Sequence, residues 1–232
     1  MPVDKSGHPL HPSREIVEKK IYLFCGHHKG GTVWSSKIFA SACRLMGLRG
    51  DYFNSPKQFD FDLAGHIAKR NLDFVCYANA DAKYLQGIEN YRGFHIIRDP
   101  RDTVVSGYFS HKNSHPTSNW PELVLHRSRL LELSKQDGLM LEVDFSASLP
   151  TNGINLDQLE ALKTWDYQDS DMLELKFEDI TVAPLEGFRR VFDFLGLRGR
   201  EGTQKCLSDQ DLACIISEND FSTYAGGRYA LV

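Results

Sequence analysis

The chain has 232 residues, 41% of them hydrophobic and 25% charged, enough for one sizeable core and the balance of an ordinary soluble globular protein. One domain over 1–232 is therefore expected. A formal charge of −4 excludes nucleic-acid binding by overall attraction, so any anion site must be a local basic pocket. The five cysteines (Cys25, Cys43, Cys76, Cys206, Cys214) contain no close-spaced pair, which argues against a disulfide framework or zinc knuckle and fits reduced thiols in the cytoplasm.

Residues 1–19 are polar and proline-bearing, with no apolar stretch of the secretory kind, and read as a loose leader. No apolar run is long enough to span a membrane. "IYLFC" (Ile21 to Cys25) reads as a short strand of the kind buried on both faces of a parallel sheet. "DFVCY" (Asp73 to Tyr77), "FHII" (Phe94 to Ile97) and "MLELKF" (Met172 to Phe177) repeat the pattern. Helical spacing separates them. An apolar stripe runs from Thr32 to Met46 with Gly47 as a stop, Asp99 and Pro100 open a second helix, and a third extends from Pro184 to Leu195. Strand and helix alternate, so the expected class is α/β, a P-loop-like parallel sheet flanked by helices. Residues 112–165 break the rhythm with "HKNSHPTSNWPE", a leucine-rich helical piece (Leu123 to Leu133), "SASLPTNGIN" and a helix ending near Trp165. They read as a helical insertion over the sheet edge, on the side where ligand contacts arise.

Two turns carry the chemistry. In "FCGHHKGGTVWSS" (Phe24 to Ser36), Gly26, Gly30 and Gly31 allow a tight turn, the helix from Thr32 aims its positive end at the same place, and Lys29 adds a full charge. Such a turn binds phosphate, but the pattern GxxxxGK[ST] is absent, so anion transfer without magnesium fits better. In "HIIRDPRDTVVSGYFSH" (His95 to His111), Arg98 ends a strand and Ser106 lies on the next helix, a guanidinium fork and a hydroxyl suited to a second phosphate. Taken singly, the motifs also read as an ordinary glycine turn and as a surface salt bridge of Arg98 with Asp99 or Asp102.

Together with "LELKFEDITVAPLEGFRRVFDFLGL" (Leu173 to Leu197), these motifs resemble the sulfotransferase family that uses 3′-phosphoadenosine 5′-phosphosulfate, over about 21–197. "HHKGGTVW" is similar to that family's "YPKSGTTW", and "FED" and "FLG" to its "YED" and "FLG". The resemblance implies that Lys29 contacts the sulfuryl group and bridging oxygen, and that the backbone of Gly30, Gly31, Thr32 and Val33 cradles the 5′-phosphate. It implies that Trp34 stacks on adenine, a core position being the other reading of that residue. Arg98 and Ser106 would hold the 3′-phosphate; the C-terminal "FSTYAGGRYALV" departs from the family's closing "RKG…GxW" segment, and its Arg228 reads either as a further contact to that phosphate or as a tail residue. The implied reaction is in-line transfer to a hydroxyl or amine of a small-molecule acceptor, leaving adenosine 3′,5′-bisphosphate, with no metal, nucleic acid or membrane involved.

The pattern departs from the family at the base. Where relatives carry "KTH" this chain has "YAN", Tyr77 to Asn79, so the general base has to come from elsewhere. His28, beside Lys29, is the first candidate, His111 is a second catalytic candidate, and His27, His66, Asp60 and Asp62 follow. Phe177 stands where the "YED" tyrosine would be. A nucleotide kinase-like phosphotransferase and a non-catalytic adenosine bisphosphate-binding module are the competing expectations.

Overall fold

A computed structural model describes residues 20–151, 153–198 and 206–221; the leader 1–19 and Arg228 lie outside the described residues. The chain begins with β1 (Ile21–Gly26), α1 (Thr32–Leu45), β2 (Gly50–Phe53), α2 (Leu63–Arg70), β3 (Phe74–Tyr77) and β4 (Tyr91–Ile97). Then come α3 (Pro100–Phe109), α4 (Pro121–Glu132), α5 (Lys135–Ser148), a small ladder of β5 (Pro150–Thr151) and β6 (Ile154–Asn155), and α6 (Gln158–Lys163). The last elements are β7 (Met172–Lys176), α7 (Phe177–Val182), α8 (Pro184–Phe194) and α9 (Asp209–Glu218). Among the described residues, no helix is long and apolar enough to cross a membrane.

Five strands form one parallel sheet in the order β2-β3-β1-β4-β7. From β1 the chain crosses to the edge strand β2, returns through β3 between β2 and β1, and then passes to β4 and β7 on the other side of β1. The carboxyl end of β1 therefore faces the crevice where the winding reverses, the position in which open α/β sheets bind ligands.

Both faces of β1 are buried, as its unbroken apolar run requires. Phe24 joins Phe39, Phe94, Phe188 and Phe192 in a core under α1, α8 and α9, whereas Ile21, Leu23 and Cys25 join Phe53, Phe59, Leu63 and Tyr77 on the opposite face. Phe24 stacks on Phe94 with centroids 4.8 Å apart, and Phe39 meets the edges of Phe74 and Phe94. Each such ring contributes about 2 kcal/mol of apolar transfer. α1 stops where expected, at Gly47 in the left-handed region with φ 81°.

The expected strands at Ile21, Asp73, Phe94 and Met172 all form, with ends shifted by a few residues. Three features differ from the expectation. β2 was not foreseen, because "GDYF" is an edge strand that buries only Phe53. Phe177 opens α7 and does not close β7. Within the insertion, α5 runs through "SAS", because its inward positions Gly138, Glu142 and Ser146 carry no hydrophobic signal.

Candidate active site

Residues 27–31 turn the chain from β1 into α1. Lys29 (φ 62°) and Gly31 (φ 76°) both sit in the left-handed region, and the Gly30 N–H closes the turn on the His27 carbonyl at 3.0 Å. Gly31 has to be glycine for a second reason: a Cβ there would lie 2.5 Å from Cε2 of Phe177. The first helical bond of α1 runs from the Ser35 N–H to the Gly31 carbonyl, and no side chain among the described residues caps the helix. Its first-turn N–H groups and dipole end thus stand beside the Lys29 turn, where an anion fits.

Arg98 reaches the same turn from the end of β4. Its Nη1 donates to the Lys29 carbonyl at 3.0 Å, its guanidinium carbon lies 4.7 Å from the Phe177 ring centroid, and its Nε is buried with no hydrogen-bond partner among the described residues. Asp99 pairs instead with Arg101 at 2.6 Å, so an Arg98–Asp99 surface bridge does not form. Ser106 is half-buried two turns into α3. Burial, and then the neighbouring Arg98 charge, push the Lys29 ammonium down to about 8, with Glu142 opposing the shift.

His28 and His111 meet. Their Nε2 atoms lie 3.0 Å apart with the rings stacked, and the His28 N–H donates to Oε1 of Gln158 at 3.0 Å. His111 sits on a π turn, Ser110–Ser114, that continues α3 and directs the ring inward, where it is fully buried. Its Nδ1 is 2.9 Å from Oε1 of Glu142 on α5, whose Oε2 is 2.7 Å from Nε2 of His126 on α4; the Ser146 hydroxyl donates to Oε1 at 2.8 Å. Burial raises the Glu142 carboxyl, but the His111 and His126 hydrogen bonds outweigh it and hold the group below its usual range. Burial, the neighbouring His111 and then Lys29 keep His28 well below the ordinary imidazole value.

His27 heads a second chain of the same kind. Its Nε2 is 2.8 Å from Nε2 of His95, whose Nδ1 is 2.7 Å from Glu174, and the Trp165 indole N–H donates to the other Glu174 oxygen at 2.9 Å. The remaining nitrogen, His27 Nδ1, is buried without a hydrogen-bond partner among the described residues. Beside this chain a cavity of about 1100 Å³ is walled by Tyr77, Asn79, Tyr84, Tyr91, Gln158 and Trp165.

Several expectations need correction. Trp34 is closed into the core at 1% exposure, edge-on to Phe188 and Phe221, with its N–H donated to the Asn219 carbonyl at 2.8 Å. As placed, it has no face for a base. Asp62 caps α2 by accepting the Gly65 N–H, and His66 packs edge-on against Phe53, so neither joins the Lys29 cluster. Asp60 ends a short 3-10 turn. The Asn79 amide donates to the Asn54 carbonyl at 2.7 Å. Sequence reasoning missed Glu142, His126 and Gln158; an acidic residue directly between the apolar "LML" and Val143 was the one available signal for the first.

No curated protein matches the sequence significantly. Among solved structures, the chain is similar to mouse sulfotransferase SULT7A1 complexed with PAP, at 13% identity and a TM-score of 0.57, over 88% of this chain and 65% of that one. It is also similar to retinol dehydratase in complex with androsterone and the inactive cofactor PAP, at 16% identity and a TM-score of 0.51, over 90% of this chain and 67% of that one. The chain thus spans about two thirds of the length of these structures, and the likeness is one of fold. The sulfotransferase domain family model matches residues 21–212, most of the sequence, and the chain belongs to that family.

Proposed function

We propose that the protein is an enzyme that transfers a sulfuryl group from 3′-phosphoadenosine 5′-phosphosulfate to a hydroxyl or amine of a small-molecule acceptor. One observation carries this reading: Lys29, the uncapped start of α1 and the unpartnered Nε of Arg98 converge on one turn. The residues present fit a bisphosphorylated nucleotide, since a buried guanidinium N–H without a partner and a free helix start both call for an anion. The same nucleotide product is present in the two related structures.

The bound donor supplies an activated sulfuryl group whose bond to the 5′-phosphate oxygen breaks as the acceptor attacks sulfur. The chain's part is positioning and electrostatics. The backbone N–H groups of Gly30, Gly31, Thr32 and Val33 orient the 5′-phosphate. The Lys29 ammonium neutralises charge on the leaving oxygen. Arg98 and Ser106 hold the 3′-phosphate, and Arg98 also ties the turn down through the Lys29 carbonyl. His28 takes the acceptor's proton, with His111 behind it. We assign the acceptor to the cavity beside Gln158, and the whole chain to one domain whose 112–165 segment walls that side. The buried thiols Cys25, Cys43 and Cys76 suit a reducing compartment, and the cytoplasm is the proposed location.

Thermal shift with adenosine 3′,5′-bisphosphate against magnesium ATP tests the nucleotide class. The bisphosphate should raise the melting temperature with the logarithm of its concentration, and ATP should not. A preference for magnesium ATP overturns the reading in favour of a phosphotransferase. Binding of the bisphosphate without any transfer across a broad acceptor panel would leave only a binding module.

A further inference from the structure

We infer that Glu142 is the positioning residue of a proton relay, His28–His111–Glu142, which selects Nδ1 of His28 as the basic atom and receives the positive charge that proton uptake creates. This rests on the sulfuryl-transfer reading for its role, although its geometry stands in the free protein.

The assignment follows from donor counting. A carboxylate only accepts hydrogen bonds, so the contacts at 2.9 Å and 2.7 Å make His111 Nδ1 and His126 Nε2 donors. Neutral His111 then has its lone pair on Nε2. The 3.0 Å contact between the two Nε2 atoms therefore needs its proton on His28, and neutral His28 is left with its lone pair on Nδ1. Glu142, two residues down the chain of contacts, fixes which nitrogen of His28 is a base.

The charge balance favours the same chain. When the acceptor O–H or N–H bond breaks, the proton forms an N–H bond at His28 Nδ1, and the Nε2 proton of His28 passes to Nε2 of His111. The acceptor's electron pair goes to sulfur and the bridging oxygen leaves with its own. An imidazolium left at His28 would stand beside the Lys29 ammonium; moved to His111, it lies 2.9 Å from a buried carboxylate. The surrounding groups are few. Lys29 and His115 face His28; Lys29, His115, His126 and Glu142 face His111; and Arg127 Nε donates to the His111 carbonyl at 2.5 Å. Trp120 lies edge-on to both rings and Phe145 stacks on His126 at 3.8 Å, so aromatic rings flank the relay. Ser146 supplies the third donor to Glu142, so three hydrogen bonds meet its charge.

Nitrogen-15 NMR of histidine side chains in the nucleotide-free protein at pH 7 reads the tautomers directly. His111 should be protonated at Nδ1 and His28 at Nε2; the opposite tautomer at either residue overturns the relay. Glu142→Gln removes the charge and cannot accept from both imidazoles. It should lower kcat about ten-fold or more and move the acidic limb of kcat/KM to lower pH, with bisphosphate affinity within two-fold of wild type. A fall in kcat with the limb unmoved indicates a purely structural role and overturns the proposal. Stoichiometric metal in the purified protein, with histidine signals that change on chelation, overturns it as well. Should Glu142→Gln not fold, the wild-type tautomers still decide. Failure of adenosine 3′,5′-bisphosphate to bind wild type, with both tautomers as expected, would sink the nucleotide reading and not the relay.

Discussion

The Lys29 ammonium, pushed down to about 8, makes nucleotide affinity depend on pH in a range where an ordinary lysine is silent. If the neutral amine contributes nothing, affinity falls by the factor 1 + 10^(pH − 8), about two-fold at pH 8, eleven-fold at pH 9 and thirty-fold at pH 9.5. The ligand adds no limb of its own there, since phosphate second ionisations lie near pH 6. Isothermal titration calorimetry with adenosine 3′,5′-bisphosphate from pH 7 to 9.5, at constant ionic strength, measures this directly. Near pH 8 binding should also take up about half a proton, because the anion restores the charged lysine. Lys29→Arg holds its charge throughout and should flatten the profile. The sign for stability is opposite. Unfolded chains keep the lysine proton to about 10.5, so the nucleotide-free protein should gain up to about 3 kcal/mol as pH rises from 8 toward 10.5. A wild-type affinity that stays constant to pH 9.5 with no proton uptake, or the same fall in Lys29→Arg, would refute the reasoning.

Gly31→Ala combines a left-handed backbone with a Cβ 2.5 Å from Phe177, and should cost about 2 kcal/mol or more in chemical denaturation. Trp34→Phe should lose about 1 kcal/mol with its Asn219 hydrogen bond while leaving bisphosphate affinity within two-fold, and a large loss of affinity would restore adenine stacking. His27 stays neutral in the folded protein to about pH 3, because burial and then His95 disfavour its charge, against 6.5 in the unfolded chain. Its contribution is whole above pH 6.5 and is lost as pH falls toward 3, about 2 kcal/mol of it between pH 7 and 5; urea unfolding of His27→Gln across that range should show a flatter slope than wild type.

The legible parts of the molecule were those whose signal is local. Largely apolar runs announced β1, β3 and β4 because strands inside a parallel sheet are buried on both faces, whereas the edge strand β7 showed through Met172, Leu173 and Leu175. The Lys29 turn and Arg98 were visible because glycine, a helix start and a strand-end guanidinium imply an anion from chemistry alone. β2 escaped because three of its four residues are not buried. α5 escaped for a subtler reason: Gly138, Glu142 and Ser146 repeat every four residues along its buried side, so its inward line is small and polar and has no hydrophobic period. Glu142 lies against Gly107 of α3, where any larger residue would push the carboxylate aside. No window of sequence reports a contact between residues on two helices so far apart.

The two adjacent histidines of the turn explain why Lys29 is held in a backbone conformation that non-glycine residues rarely adopt. His27 ties the turn to β4 and β7 through His95 and Glu174, and His28 ties it to α3 and α5 through His111 and Glu142. Arg98 adds a third anchor at the Lys29 carbonyl. Strain of about 1 kcal/mol at one residue survives when its surroundings over-determine it in this way. The arms are nevertheless unequal. The His27 arm lies in the sheet core, with Trp165 stacked 4.0 Å from His95, whereas the His28 arm stands next to the ammonium and leads its charge away from it. A turn fixed from three sides presents its amide groups and ammonium already oriented, so little reorganisation remains when charge develops on a leaving oxygen. The same fixing means that loosening either arm should disturb Lys29, but only the arm ending in Glu142 can also alter where a proton rests.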